Sequence, residues 1–291
     1  MTHVDADPAE RWTDRDFWRA LAPDLRIEDG QFLGTLGRLE LQAGREAALQ
    51  ALVRHEGYFQ LPPPDWQLPL AGMAKLVSRL HEQGIPAVWA LIYDEFWALA
   101  IRLGSVVEIL LGPGSLRLPD FWVWLIDPAR DERGWRPHRD KGHAALHQDG
   151  SPKSITIWLP LTDSTTLNGC VYLLPADRDP TYGTSKDDEW SVELPDVRAL
   201  PAEAGAILGW NQAVLHWGSH SSSRASDPRI SVAFEFQSGD VPPFNQPLMP
   251  LHTAPPFSAR LRLIAMQLLQ YQHMSPLGDE ARSIAERLAR G

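Results

Sequence analysis

The chain has 291 residues and a formal net charge of −10 at pH 7. This acidic balance argues against nucleic acid or an anionic membrane as the main partner, because both need a basic surface. Apolar residues make up 44% of the sequence, enough for a full hydrophobic core, and no segment approaches the roughly 18 uncharged apolar residues of a membrane span. The single cysteine, Cys170, excludes an intramolecular disulfide. Together with an N-terminus that is not typical of a signal peptide, it indicates a cytoplasmic protein.

The first hundred residues are predicted to be mainly helical. A helix is expected to begin after Thr13, which would act as its N-cap. Further helices are expected over 45–55, 70–81 and 86–102, where apolar residues recur at helical spacing. Partial alternation of apolar and polar residues over 31–41 favours a short hairpin instead.

From Ser105 onward the pattern changes to short runs of β-branched and aromatic residues separated by turn signals such as Asn168-Gly169. The predicted strands are Val106–Leu111, Phe121–Ile126, Ser154–Leu161, Gly169–Leu174, Ala206–Trp210 and Ile230–Phe236. Short strands without intervening helices indicate an antiparallel barrel or sandwich rather than a parallel α/β sheet.

Helical patterns return at 257–273 and 278–290. We therefore predict an α+β fold with a mainly β core, organised as a single domain that spans the whole chain. The β core would cover about 105–240, after a helical part over 1–104, and the helices would pack on one face of the barrel.

Two His-x-Asp triplets in the middle of the chain suggest a metal site. They are His138-Arg139-Asp140 and His147-Gln148-Asp149. Residues i and i+2 at a strand end point to the same side, so both side chains of such a triplet can reach one ion. Two histidines and one carboxylate on one face commonly hold oxygen-activating iron(II). The third ligand must come from a distant strand, and both His216 and His220 are candidates.

Four elements in a fixed order resemble the phytanoyl-CoA dioxygenase family of Fe(II)/2-oxoglutarate-dependent oxygenases. They are GWRPHRD, SITIWLPLTDSTTLNGCVYLLP, LHWGS and PRISVAFEF, and they lie within about residues 120–240. The resemblance implies a double-stranded β-helix, also called a jelly roll, that uses Fe(II), 2-oxoglutarate and O2. By the family's spacing the metal ligands would be His138, Asp140 and His216. The triplet at His147 stays an alternative to the first pair.

The resemblance also implies a site for 2-oxoglutarate. Its far carboxylate would be held by Arg229, because a guanidinium can grip a carboxylate with two parallel hydrogen bonds. Ser231 lies two residues on, on the same side of the strand, and could add a hydroxyl donor. Trp158 matches a position that lines the 2-oxoglutarate pocket, although a plain core tryptophan is an equal interpretation. Arg224 is the competing arginine, in a Ser-rich turn where exposure to solvent is expected.

The resulting hypothesis is a dioxygenase that hydroxylates or otherwise oxidises a C–H bond of a small molecule and releases succinate and CO2. A carboxylate at Asp140 favours oxidation over halogenation, because related halogenases leave that position without one. Two alternatives remain: a jelly-roll metal-binding or binding protein without turnover, and an iron dioxygenase that needs no cosubstrate. Abundant tryptophan suggests an apolar or aromatic substrate, and no phosphate-binding loop for coenzyme A is visible. The oligomeric state stays open.

Overall fold

The structure is a computed structural model, and it describes residues 10–41, 44–273 and 275–290. In chain order the helices are α1 (Glu10–Thr13), α2 (Arg15–Leu21), α3 (Gly30–Gly34), α4 (Arg45–His55), α5 (Leu70–Glu82), α6 (Asp94–Arg102), α7 (Gly104–Leu111), α8 (Phe257–Gln270) and α9 (Asp279–Arg290). The strands are β1 (Tyr58–Leu61), β2 (Leu116–Ile126), β3 (Ser154–Pro160), β4 (Val171–Leu174), β5 (Arg198–Leu200), β6 (Ile207–Asn211), β7 (Leu215–Gly218), β8 (Arg229–Gln237) and β9 (Met249–Pro250). None of the described helices combines the length and apolar content needed to cross a membrane.

Two antiparallel sheets form the centre of the fold. The larger sheet has the strand order β1-β6-β3-β8-β2-β9, and the smaller has the order β5-β4-β7. Most neighbours within a sheet are distant in sequence, so the chain passes repeatedly from one sheet to the other. The predicted α+β class, with a jelly-roll core and flanking helices, is confirmed.

The larger sheet separates two hydrophobic layers, because successive side chains of a strand point to opposite faces. Ile155 and Ile157 of β3 join a core that also contains buried residues of α5, α6 and α8. Trp158, on the other face of β3, joins Leu173 of β4 and Ala233 of β8 in a second core between the two sheets. The helices thus cover one face of the larger sheet, and the smaller sheet covers the other.

The strand predicted over Val106–Leu111 was wrong, because this segment lies in helix α7. Its buried residues are Val106, Val107, Leu110 and Leu111. They recur at helical spacing, while Glu108 between them is only half-buried. A short apolar run is compatible with a buried helix as well as a buried strand. Packing against α4 and α6 selects the helix here.

The hairpin predicted over 31–41 was also wrong. Helix α3 occupies its first part, and Asp29 caps it by accepting a hydrogen bond from the backbone N of Phe32 at 3.0 Å. The N-cap of α2 is Asp14, which accepts from the backbone N of Asp16 at 2.8 Å, whereas Thr13 is the last residue of α1. In both places an aspartate side chain accepts a hydrogen bond from a nearby backbone N–H group, which favours the start of a helix there.

The helices predicted over 45–55 and 70–81 are present as α4 and α5, but the one predicted over 86–102 is interrupted. A 3₁₀ turn over Ala87–Ile92 gives way to an extended residue, Tyr93, before α6 begins. The hydroxyl of Tyr93 donates to the carbonyl of Trp18 at 2.6 Å. This buried contact ties α2 to the centre of the fold at the point where the helical pattern is broken.

Two glycines allow the chain before the first His-x-Asp triplet to run directly beside β7. The backbone N of Gly218 donates to the carbonyl of Trp135 at 3.0 Å. A Cβ placed on Gly218 would lie 2.6 Å from Cα of Gly134, and one on Gly134 would lie 2.5 Å from Cα of Gly218. Only residues without a Cβ permit this approach, and it aligns the two segments that carry His138 and His216.

We expect Gly218→Ala to lower the free energy of unfolding by about 1–3 kcal/mol, because backbone atoms would have to move apart to admit the methyl group. Denaturant unfolding followed by circular dichroism would measure the loss. Gly278→Ala is the matched control, since nothing lies within 4 Å of a Cβ at that position. Equal stability of the two variants would contradict the close approach.

Candidate functional site

His138, Asp140 and His216 come together although the chain separates the last from the first two by more than seventy residues. His138 lies opposite His216 of β7, and the two residues exchange both backbone hydrogen bonds at 3.0 Å. The Nε2 atoms of His138 and His216 lie 3.5 Å and 3.6 Å from Oδ1 of Asp140. One potential ligand atom from each residue lies within 4.8 Å of the others, a separation that suits a shared metal ion.

A hydrogen bond at Nδ1 orients each of the two imidazole rings. Nδ1 of His138 lies 2.7 Å from the carbonyl of Arg136, and Nδ1 of His216 lies 3.1 Å from the carbonyl of Val214. A carbonyl only accepts hydrogen bonds, so these contacts place the proton on Nδ1 and leave the Nε2 lone pair free. Such outer contacts are the usual way in which a metal-binding histidine is held in its tautomer.

The two oxygens of the Asp140 carboxylate make different contacts. Its Oδ2 accepts hydrogen bonds from Oγ1 of Thr156 at 2.7 Å and from Nε1 of Trp210 at 3.1 Å. Its Oδ1 faces the two histidines. The donors on Oδ2 fix the direction in which Oδ1 points. Sequence reasoning did not find either donor, because Thr156 and Trp210 resemble ordinary strand residues and meet Asp140 only through the sheet.

The titration behaviour of these groups reflects burial and mutual charge. Burial alone would raise the pKa of Asp140, but His216 and His138 and the hydrogen bonds lower it well below its usual range. Burial lowers the pKa of His216 to about 4, despite the nearby Asp140 carboxylate. Burial also acts to lower the pKa of His138, but Asp140 outweighs it and the pKa is raised. An ionised carboxylate and a neutral His216 are the forms that bind a cation.

The other candidate metal ligands, His147, Asp149 and His220, lie outside the His138–Asp140–His216 cluster. Asp149 is exposed in a turn, where its Oδ1 accepts from the backbone N and the hydroxyl of Ser151 at 3.0 Å and 2.6 Å. His147 is in the same turn. His220 is exposed, with Nδ1 3.6 Å from Asp131 Oδ1. In the part of the chain that the structure describes, only His138, Asp140 and His216 form a cluster of this kind, and their role as metal ligands stays a prediction.

Arg229 is a buried cation at the same cavity. It is 3% exposed, its Nη1 donates to the hydroxyl of Ser231 at 3.1 Å, and its guanidinium carbon lies 5.4 Å from the ring centroid of Trp158. Its Nε has no hydrogen-bond partner among the described residues. Burial lowers the pKa of Arg229 to about 10, so it remains a cation at neutral pH. Arg224, the competing arginine, is exposed as expected.

The strand register places these groups on one face of the larger sheet, because residues paired across antiparallel strands point to the same side. Thr156 pairs with both Trp210 and Glu235. The residues on this face that line the cavity are Trp122, Trp124, Thr156, Trp158, Trp210, Arg229, Ala233 and Glu235. The cavity, including its open mouth, has an empty volume of about 610 Å³, and the His138 cluster and Arg229 both line it. Trp158 therefore fits both earlier interpretations, as a wall of the cavity and as part of the core.

Arg139, the middle residue of the first triplet, links the loop that carries His138 and Asp140 to the segment that follows β4. Its guanidinium donates to the carbonyls of Asp187 and Ala213 at 2.8 Å and 2.7 Å and lies 2.7 Å from Oδ2 of Asp179. The ion pair with Asp179 is almost fully buried. Residues 175–197, between β4 and β5, contain no α-helix or strand, and Arg139 is one of the residues that hold this segment against the site.

We expect Arg139→Gln to weaken binding of a divalent metal by about 10–100-fold, the usual effect of losing a residue that supports metal ligands. It would also leave the buried Asp179 carboxylate without its cation. Calorimetric titration with Ni(II) would measure the affinity, and thermal unfolding would be recorded beside it. Arg136→Gln is the control, because Arg136 has the same charge but an exposed side chain. Equal metal affinity in the two variants would show that Arg139 has no such role.

Comparison with known proteins agrees with this geometry. Residues 101–230 match the family model described as phytanoyl-CoA dioxygenase (PhyH), and that segment contains His138, Asp140, His216 and Arg229. The match covers less than half of the chain, and it agrees with the resemblance of the four sequence elements to the PhyH-like family. No curated protein matches the sequence.

Several solved structures share the fold. The epimerase SnoN, solved with Fe3+, alpha ketoglutarate and nogalamycin RO, is 20% identical, with 68% of this chain and 85% of that chain covered and a TM-score of 0.52. The non-heme monooxygenase ThoJ is 13% identical, with 83% and 99% covered and a TM-score of 0.53. HygX from Streptomyces hygroscopicus, solved with nickel and 2-oxoglutarate, is 13% identical, with 69% and 88% covered and a TM-score of 0.50. At these identities the similarity establishes the fold.

Proposed function

We propose that this protein is an Fe(II)- and 2-oxoglutarate-dependent oxygenase that oxidises a C–H bond of a small molecule. The observation that carries the proposal is the pairing, in one cavity, of the His138–Asp140–His216 cluster with the buried and partly unpartnered Arg229. SnoN and HygX, which share the fold, were solved with a metal and this cosubstrate. The family is named for a dioxygenase, which supports the same class.

The residues fit the metal that the family implies. Two imidazole Nε2 atoms and one carboxylate oxygen are the donor set of non-haem iron(II) oxygenases, which leaves positions open for other ligands. All three donors are held by contacts on their opposite atoms, so the cluster is arranged before a metal arrives. Bound Fe(II) would supply the activation of O2, coupled to the oxidation of 2-oxoglutarate to succinate and CO2.

Arg229 fits the cosubstrate. A buried cation is costly unless an anion or hydrogen-bond acceptors offset the cost. Arg229 has Ser231 as a hydrogen-bond partner and the face of Trp158 beside it, but its Nε is unsatisfied among the described residues. The far carboxylate of 2-oxoglutarate would satisfy it, with the Ser231 hydroxyl as a further donor. A metal-binding protein without turnover has no need of such an anchor.

The aromatic walls would exclude water and position the substrate above the metal cluster. Trp122 and Trp124 of β2 line the cavity, and Trp135 lies beside His138 with ring centroids 5.7 Å apart. Because SnoN is an epimerase, a shared fold does not fix the outcome of the reaction. With a carboxylate at Asp140, we propose hydroxylation or another oxidation rather than halogenation.

The test is succinate formation from 2-oxoglutarate by the purified protein with Fe(II) and O2. Succinate should appear only when iron and oxygen are both present, and Asp140→Ala should abolish it while Asp149→Ala keeps it. Oxygen uptake that does not need 2-oxoglutarate would favour an iron dioxygenase without cosubstrate. Failure to bind iron at all would favour a binding protein. Chlorinated product in the presence of chloride would contradict the assignment of oxidation.

A further inference from the structure

Beyond the metal cluster, the cavity wall is a continuous aromatic surface. Trp135 lies at its centre, with ring centroids 5.4 Å from Trp124 and 5.0 Å from Tyr271. Trp122 completes the surface, 5.1 Å from Tyr271 in an edge-to-face arrangement. Aromatic faces carry partial negative charge and attract cations as well as apolar groups.

Two acidic residues that the proposed reaction does not use line the same cavity. They are Asp120 of β2 and Glu235 of β8. The carboxylate of Asp120 is fully buried and accepts hydrogen bonds from Nδ2 of Asn245 at 3.0 Å and 2.9 Å and from Nε2 of Gln270 at 2.7 Å. These amide donors are neutral, so they hold the carboxylate in place without neutralising its charge.

Glu235 is 9% exposed and keeps one oxygen free for a ligand. The hydrogen bond from Nε2 of Gln212, at 2.7 Å, and the ion pair with Nζ of Lys141, at 3.2 Å, both fall on Oε2. Oε1 accepts no hydrogen bond from the described residues. Burial, and after it the carboxylates of Asp120 and Asp140, raise the pKa of Glu235 to about 8, although Lys141 opposes the shift. A second cation next to Oε1 would favour the ionised form.

When Glu235 is ionised, the form that a bound cation favours, the charges at this end of the cavity leave an excess of negative charge. At the metal end, the formal charges of Fe(II), 2-oxoglutarate, Asp140 and Arg229 sum to zero. At the other end, Lys141 offsets one of the two carboxylates of Asp120 and Glu235. No further lysine or arginine among the described residues lines the cavity. An anionic substrate would find Lys141 already paired with Glu235, whereas a cation would favour the ionised form of Glu235 and meet one unbalanced carboxylate within an aromatic wall.

We propose, on the basis of the proposed function, that the substrate is an organic amine. Its protonated amino group would lie at Oε1 of Glu235, near Asp120. Its apolar part, a ring or a hydrocarbon chain, would pack against Trp124, Trp135 and Tyr271, which brings its C–H bonds toward the His138–Asp140–His216 cluster. Glu235 would thus be the residue that determines specificity, and acyl thioesters of coenzyme A or other phosphate-bearing molecules would be poor substrates.

The test compares amines with carboxylates of matched shape. The full-length protein is loaded with Fe(II) under anaerobic conditions and saturated with 2-oxoglutarate, so that a carboxylate probe cannot bind at Arg229. Calorimetric titrations then use two pairs of probes: phenethylamine with 3-phenylpropionate, and tryptamine with 3-indolepropionate. We expect at least one amine to bind at least about tenfold more tightly than its partner, a preference that one charge interaction beside aromatic rings can supply.

Glu235→Gln keeps the size of the side chain and one acceptor oxygen for Gln212 but removes the charge, and it should reduce this preference to about threefold or less. Asp120→Asn is the second variant, and it should reduce the preference in the same direction even if Glu235→Gln does not fold. Asp188→Asn is the control: Asp188 is exposed, and losing its charge should leave the preference unchanged. Absence of saturable binding by either amine, tighter binding of the carboxylates, or an unchanged preference in the pocket variants would overturn the proposal.

These outcomes are separate from a failure of the proposed function. Addition of 2-oxoglutarate to the same iron-loaded sample reports the cosubstrate through its charge-transfer band. A normal band without amine preference would overturn only the substrate class. If the amines are preferred but no band appears, the amine titrations are repeated with the iron-loaded protein without 2-oxoglutarate. The same preference there would uphold the amine site and remove the assignment of a 2-oxoglutarate-dependent enzyme.

Discussion

Replacing His138 with alanine should abolish the metal-to-ligand charge-transfer band that the anaerobic, iron-loaded protein develops when 2-oxoglutarate is added. His138 would supply one of three donor atoms, and among the described residues no fourth histidine, cysteine or acidic residue belongs to the cluster to take its place. We expect the loss of iron affinity to exceed the roughly 10–100-fold that follows removal of a residue that merely supports a ligand. Absorbance titration and calorimetry with Fe(II) would measure both effects.

His147→Ala is the matched control, because it removes the histidine of the competing triplet. His147 belongs to a turn in which its backbone N donates to the carbonyl of Ser151 at 2.8 Å, and this bond does not depend on the side chain. The variant should therefore keep both the band and the iron affinity of the original protein. Loss of the band in His147→Ala, with retention in His138→Ala, would assign the metal to the second triplet and leave the proposed enzyme class in place.

Replacing Arg229 with alanine should weaken 2-oxoglutarate binding strongly while iron still binds. Removing one partner of a buried charge pair costs about 2–5 kcal/mol, which corresponds to a loss of about thirtyfold to several thousandfold in affinity. Iron affinity should stay close to that of the original protein, since Arg229 donates to Ser231 and contacts Trp158 rather than the metal cluster. The concentration of 2-oxoglutarate that gives half of the charge-transfer band would measure the effect.

Arg229→Lys provides an internal comparison. It keeps the positive charge but loses the planar fork that grips a carboxylate with two bonds, so its affinity should fall between those of the original protein and Arg229→Ala. Arg224→Ala is the control for a nearby arginine that is exposed to solvent, and it should change nothing. If Arg224→Ala weakened 2-oxoglutarate and Arg229→Ala did not, the proposed position of the cosubstrate would be wrong.

Candidate site residues could be named from the sequence because they lie in short motifs of residue types that bind metals and anions. The His-x-Asp triplet at His138 and the arginine before a β-branched run, Arg229, lie on segments whose order along the chain is itself distinctive. The β core was predictable for a related reason: strands rich in valine, isoleucine and aromatic residues need only local propensity and turn signals. The antiparallel β core that these patterns indicated is present, and so is the jelly roll that the resemblance to the family implied.

Where packing decides between two local structures, the sequence was a poor guide. Val106–Leu111 could form a buried strand or a buried helix, and contacts with α4 and α6 make it a helix. The strand β7, which carries His216, was not predicted, because four residues are too few to show alternation. It exists through pairing with β4 and with the chain near Trp135.

The sequence by itself indicated the type of chemistry, since histidine, aspartate and arginine in these motifs are the residue types of a metal donor set and an anion anchor, roles that stay predictions for this chain. The tertiary structure alone decided which of two triplets meets His216, because that depends on the approach of Gly134 to Gly218. It also decided which oxygen of Asp140 faces the histidines, and it brought Glu235 to the same cavity. Hydrogen bonds and charge interactions act over a few ångströms in space, and for residues far apart in the chain only the folded structure establishes those distances.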